Sequence, residues 1–234
     1  MGKAVAKPNL TKCPYCPEEP HSWKLGLAGN HVGNGGTLGG NIMEKKYKPG
    51  KSAMNHPLSV PEVFGEYDIA QAHHLICSET MKKDKDWANI CASFGYDINH
   101  KHNGIFLPAD MRVACQLNIP LHRGNHDVTE TGEGMTYVDG VKNMVQPVKD
   151  LALQGDFCKA EHEIIPMLNE ISGDIWELVK EFTWTLTYDG KHYQAGGIGC
   201  LGELRLPDKR ANKTTTSCNR KHDITIIGNY FLEQ

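Results

Sequence analysis

The chain has 234 residues, 39% of them hydrophobic, and 25 Lys+Arg stand against 28 Asp+Glu for a formal net charge of −3. This composition suits an ordered, soluble fold and excludes a chain disordered throughout. No run approaches the ~18 apolar residues of a membrane span, and bulk charge offers no argument for nucleic acid, which leaves local patches to be judged by themselves.

Met1 to Pro8 carries two lysines with no apolar stretch behind them, so no signal peptide is expected. The unusual counts are 12 His and 8 Cys. Without a secretory signal, and with a Cys-x-x-Cys at Cys13 and Cys16, thiols with a metal site are expected rather than disulfides.

In chain order, residues 1–25 hold the Cys13-Pro-Tyr-Cys16 knuckle and Pro20-His-Ser-Trp23. Residues 26–60, with a Gly-rich stretch from Gly29 to Gly40 and a Lys-rich run from Glu44 to Lys51, read as a loop. They lack the spacing of a dinucleotide or phosphate loop. Tyr67 to Cys77 reads as extended. Trp87, Ile90, Cys91 and Phe94 fall on one helical face, ended by Gly95. Gly104 to Pro108 predicts a short strand, followed by a helix over about Ala109 to Leu117 and a further segment from Pro120. Val138 to Leu153 and Phe157 to Phe182 predict helices in which Pro147 and Pro166 mark a break or a start. Leu168, Ile171, Ile175, Leu178, Val179 and Phe182 form a core stripe. Thr183 to Gln194, turning at Asp189-Gly190, predicts a hairpin, and Asp223 to Leu232 a strand. The class is α+β, and no linker divides the chain.

Chemistry concentrates between His73 and His126. Adjacent residues on a strand face opposite sides, so His73 and His74 are available to different partners. His122 and His126 are at i, i+4, one turn apart on a helix, although Gly124 between them weakens that helix. Imidazoles from a strand and a helix are suited to sharing one divalent ion.

Four blocks now occur in order: Ala72-His73-His74-Leu75-Ile76, Phe94-Gly-Tyr-Asp-Ile-Asn99, Asn103-Gly-Ile-Phe-Leu-Pro108 and His122-Arg-Gly-Asn-His126. Together they resemble the AHH nucleases of the HNH/endonuclease VII superfamily, often toxin domains of bacterial polymorphic and type VI secretion systems. The resemblance covers about residues 67–145. It implies a ββα-metal core, a β-hairpin and a helix around one ion, set in a mostly helical single domain over residues 1–234 with C-terminal strands. It further implies His74 as general base, with Asn103 as its catalytic partner, hydrogen-bonding near the base and fixing the hairpin. His73, His122 and His126 would be metal ligands, and the spacing leaves Asn118 with His122 as an alternative pair. Arg123 is a candidate phosphate-binding residue. Three imidazoles favour Zn, Ni or Mn by softness, with Mg left open.

Cys13 and Cys16 form half of a structural zinc knuckle. Cys218-x3-His222 offers the other half, with Cys200 as a substitute ligand. That pairing would pack residues 10–25 on the strands of 183–234. Cys77, Cys91 and Cys115 lie in apolar stretches and read as buried thiols. Lys82, Lys83, Lys85, Lys101 and Arg123 are the candidates near the histidines for a local nucleic-acid-binding patch.

The function expected is a metal-dependent endonuclease hydrolysing phosphodiester bonds. It would be a DNase toxin made in a bacterial cytoplasm and exported by a specialised system, with RNA not excluded as substrate. Its expected partners are DNA, an immunity protein and a delivery component, with no membrane association. The contrasting reading is a zinc-stabilised binding or adaptor module without catalysis.

Overall fold

An Asp before an apolar i, i+3, i+4 stripe is a helix start, and the segment after Asp84 forms one. In the computed structural model, which describes residues 7–42, 70–108, 120, 122, 135–160, 163–184 and 186, a helix runs Lys85–Phe94. The Asp84 carboxylate accepts the Asp86 and Trp87 N–H groups at 2.8 and 3.4 Å, satisfying donors that a helix start leaves without a partner. Trp87, Ile90, Cys91 and Phe94 are buried, and Gly95 ends the helix at φ 78°, a left-handed conformation that favours glycine.

Six helices are named here in chain order: α1 His21–Leu25, α2 Gly35–Ile42, α3 Ser78–Met81, α4 Lys85–Phe94, α5 Tyr137–Gln154 and α6 Ile164–Lys180. Strands β1 (Ala70–His74) and β2 (Gly104–Pro108) pair as a two-stranded sheet, and 3-10 turns occupy Lys101–Asn103 and Asp156–Cys158. The fold is thus mixed α and β with a small sheet. No helix among the described residues is long and apolar enough to cross a membrane.

The chain divides into two compact units whose segments alternate in sequence. One holds the described residues within Met1–Ile42, His74–Gly104 and Val138–Ile175. The other holds those within Met43–His73, Ile105–Tyr137 and Trp176–Gln234.

In the first unit α1 packs on α4, and α2 on the Lys101–Asn103 turn. Val138, Val141, Val145, Val148 and Ala152 make the buried stripe of α5, while Leu168 and Ile175 do so for α6. Lys149 of α5 bridges Asp84 at 2.7 Å and Asp86 at 3.0 Å. Burial opposes its charge, but the two carboxylates outweigh it and raise its pKa. In the second unit Ile105, Leu107, Tyr137, Trp176, Val179 and Trp184 are buried, and the Tyr137 and Trp184 rings meet edge to face with centroids 5.8 Å apart.

Two expectations change. Part of the Gly-rich loop is the helix α2: Leu38 and Ile42 are one turn apart, both buried, and lie where a side chain on Gly104 would collide with them. The last long helix begins at Ile164 rather than Phe157. Pro166 sits in its first turn, where a missing N–H costs no helical bond, and its ring disfavours helix before that point. Pro147 lies inside α5. Residues 109–119, the hairpin over 187–194 and the strand over 223–232 lie outside the described residues.

Candidate active site

The candidate residues of each unit start from β1, whose period of two separates its side chains. In the second unit, Gln71 and His73 lie two residues apart and both approach His122. Gln71 Oε1 is 3.1 Å from His122 Nδ1, and the His73 and His122 rings have centroids 4.8 Å apart. His73 Nε2 is 3.0 Å from the Tyr137 hydroxyl. His73 is 1% exposed and His122 9%, so both imidazoles are largely removed from bulk water.

These residues fit a divalent ion by the chemistry of the set. A metal-bound imidazole is normally oriented by a hydrogen bond at its second nitrogen. Gln71 supplies that bond to His122 and Tyr137 supplies it to His73. His126, Asn118 and Arg123 lie outside the described residues.

In the first unit His74 takes a different partner. Its Nε2 is 3.0 Å from Asn99 Oδ1. That oxygen also accepts the Asn34 backbone N–H at 2.7 Å, while Asn99 Nδ2 donates to Val32 O at 3.1 Å and to Asp97 Oδ1 at 3.2 Å. The amide orientation is thereby determined by its three partners other than His74. With Oδ1 towards His74, Nε2 of the ring must be the donor, and in the neutral ring Nδ1 carries the lone pair. Burial lowers the His74 pKa below its usual value, opposed in part by the Asn99 bond and by the negative charges of Glu79 and Asp97.

Residues 30–34 complete this environment. Asn30 pairs with Asp97 in a parallel bridge, and Gly33 N–H donates to Ser78 Oγ at 3.1 Å. A Cβ on Gly33 would stand 2.6 Å from Ser78 Cβ and 3.3 Å from His74 Cε1, so glycine permits the close approach.

Asn103 is fully buried. Its Oδ1 accepts Ile76 N–H at 2.7 Å and Ser172 Oγ–H at 3.0 Å, and its Nδ2 donates to Ile76 O at 3.1 Å and Ile98 O at 2.8 Å. With both oxygen and nitrogen used internally, the side chain fastens the backbone just after His74 to the segment between α4 and β2.

The sequence pattern assigns no role to Asn99, Tyr137 or Gln71. Asn99 stands in one of the four blocks and Gln71 two residues before His73, which are weak signals. Tyr137 has none, because its approach is tertiary.

The Cys13 and Cys16 half-site meets His21 and Cys158: the four ligand atoms lie within 4.8 Å of one another. Cys218, His222 and Cys200 lie outside the described residues. Cys77 and Cys91 are buried, and burial pushes the Cys77 thiol up to about 11. Cys115 also lies outside the described residues. Among the cations, Lys82 is paired with Glu79, while Lys83, Lys85 and Lys101 are exposed.

Residues 59–175, half of the chain, match the family model of AHH, a nuclease family of the HNH/ENDO VII superfamily with conserved AHH. Ala72-His73-His74 lies within the match. No curated protein and no solved structure matches the chain.

Proposed function

Because the chain belongs to the AHH nuclease family, we propose that it is a divalent-metal-dependent endonuclease cutting DNA, with His74 as general base and His73, His122 and His126 as metal ligands. Family membership makes nucleic acid the substrate class and hydrolysis the reaction. The observation that carries the residue assignment is the His74 Nε2 to Asn99 Oδ1 bond of 3.0 Å, which leaves Nδ1 as the basic nitrogen.

From that bond the proton path follows. His74 Nδ1 takes a proton from a water molecule, whose oxygen attacks the phosphorus as the bond to the 3′ oxygen breaks. The resulting imidazolium keeps its Nε2–H on Asn99, and the negative charges of Asp97 and Glu79 favour it. A divalent ion, when bound, supplies Lewis-acid stabilisation of charge on the phosphoryl group and leaving oxygen. His73 and His122, oriented by Tyr137 and Gln71, would hold it, with His126 as third ligand. Asn103 holds the backbone next to His74, and Arg123 is the candidate for a flanking phosphate.

The biological reading is a DNase toxin delivered to rival bacteria by a specialised secretion system and neutralised in its producer by an immunity protein. It is supported by the family resemblance, since AHH domains are commonly toxin domains. An acidic inhibitor covering the nucleic-acid surface would steer on quickly and need not touch the metal. Plasmid DNA and ribosomal RNA, each incubated with the protein and divalent metal, test the substrate. Loss of plasmid with EDTA-sensitive kinetics supports the reading, and two intact substrates overturn it. Expression without an inhibitor tests the toxin: nucleoid loss is expected with wild type, and harmless accumulation would end that reading.

A further inference from the structure

Four soft or borderline donors converge far from β1 in sequence. Cys13 Sγ and Cys158 Sγ are 3.9 Å apart, and Cys16 Sγ and His21 Nε2 are 3.4 Å apart. All four ligand atoms lie within 4.8 Å of one another. Bond lengths of about 2.3 Å for Zn–S and about 2.0 Å for Zn–N put the edges of a tetrahedral site near about 3.8 Å for S···S and about 3.5 Å for S···N. These two pairs match those edges, and no remaining edge must contract by more than about 1.3 Å. Cys13 and Cys158 are not bonded as a disulfide.

The backbone around the cluster is shaped for a thiolate site. The Tyr15 N–H faces Cys13 Sγ at 3.5 Å, and Cys13 N–H donates to Glu18 O at 2.8 Å, closing a tight loop around the Cys-x-x-Cys. Cys158 is delivered by the turn that follows Gly155, whose φ of 81° redirects the chain after α5. A Cβ there would stand 3.2 Å from Tyr15 O. The Tyr15 and His21 rings both stack on Phe94, at 6.0 and 5.4 Å between centroids.

We propose that Cys13, Cys16, His21 and Cys158 bind one structural zinc ion, separate from the metal of the nuclease site, which fastens the N-terminal segment to the turn after α5. The donor set is closed, with three sulfurs and one nitrogen and no position left for substrate, as in structural rather than catalytic zinc sites. The ion completes the first unit from both sides of the sequence. It anchors the stretch leading to residues 30–34, which carry the Asn34 N–H to Asn99.

The test uses the full chain purified under reducing conditions, with zinc measured by elemental analysis and the site probed by Co(II) substitution. Wild type is expected to show a thiolate-to-Co(II) charge-transfer band and tetrahedral visible bands. Cys158→Ser and Cys16→Ser should each lose one zinc per chain, whereas Cys218→Ser, His222→Ala and His73→Ala retain this ion. If the Cys158→Ser chain does not fold, the wild-type cobalt spectrum decides. Absence of the charge-transfer band, or loss of the thiolate-bound ion in Cys218→Ser, would overturn the proposal. Because His73→Ala removes only the nuclease metal, failure here is distinguishable from failure of the nuclease reading.

Discussion

Asn99 Oδ1 accepts the backbone N–H of Asn34 and stands 3.0 Å from His74 Nε2, so one amide oxygen decides which nitrogen of His74 carries its proton. The orientation of that amide is set in turn by Asp97 and by the Val32 carbonyl. Asn99→Ala should therefore lower kcat about 10- to 100-fold with metal content unchanged, the usual cost of losing an orienting partner. Asn99→Asp should restore the acceptor and raise the His74 pKa, moving the acid limb of the rate profile upward. A rate profile unmoved in Asn99→Asp would dissociate Asn99 from the base.

The His74 pKa is lowered chiefly by burial, so the folded state holds its proton less tightly than the unfolded state does. The sign is that of a depressed pKa: this contribution to stability is present above the unfolded value of about 6.5 and is lost as pH falls through the folded value. Catalysis needs the neutral ring, so the acid half-point of kcat should lie below about 6.5. Thermal denaturation across that range should show a shallower pH dependence in His74→Ala. An equal dependence in wild type and variant would contradict the shift.

Asn103→Ala should cost at least about 3 kcal/mol, because it removes a buried amide with four internal bonds and leaves several of those partners unpaired. Urea denaturation reads this directly. A loss under about 1 kcal/mol would mean that water or a neighbouring group replaces those bonds, and that Asn103 does not fasten the backbone beside His74.

Much of this was legible in the residues. The stripe of Trp87, Ile90, Cys91 and Phe94 with its stop at Gly95 gives α4 because that pattern is local, and β2 follows from a short apolar run between Gly104 and Pro108. The different partners of His73 and His74 follow from strand alternation alone. Helix α2 was not legible: six of its eight residues are Gly, Thr or Asn, and its anchoring by Leu38 and Ile42 depends on Gly104, which is distant in sequence. Cys158 was less hidden. Cys158-x3-His162 has the same spacing as Cys218-x3-His222, a signal the sequence reading does not use, and the turn after Gly155 brings Cys158 to Cys13.

Nucleic-acid affinity at a net charge of −3 should come from a local patch, and Lys83, Lys85 and Lys101 are exposed for it. Lys82 is engaged by Glu79 and should contribute less. Neutralising the three exposed lysines should lower the salt slope of binding by about one unit for each phosphate left without its cation. Unchanged salt dependence would place the nucleic-acid surface elsewhere.

A base and a ligand are assigned to two adjacent histidines, and that division is the centre of the mechanism. Metal content and plasmid cleavage, measured together on His74→Ala and His73→Ala, test it most directly. His74→Ala is predicted to keep the wild-type metal content and lose cleavage, while His73→Ala loses the nuclease metal along with cleavage. Loss of metal in His74→Ala, or cleavage that survives in it, would contradict the assignment.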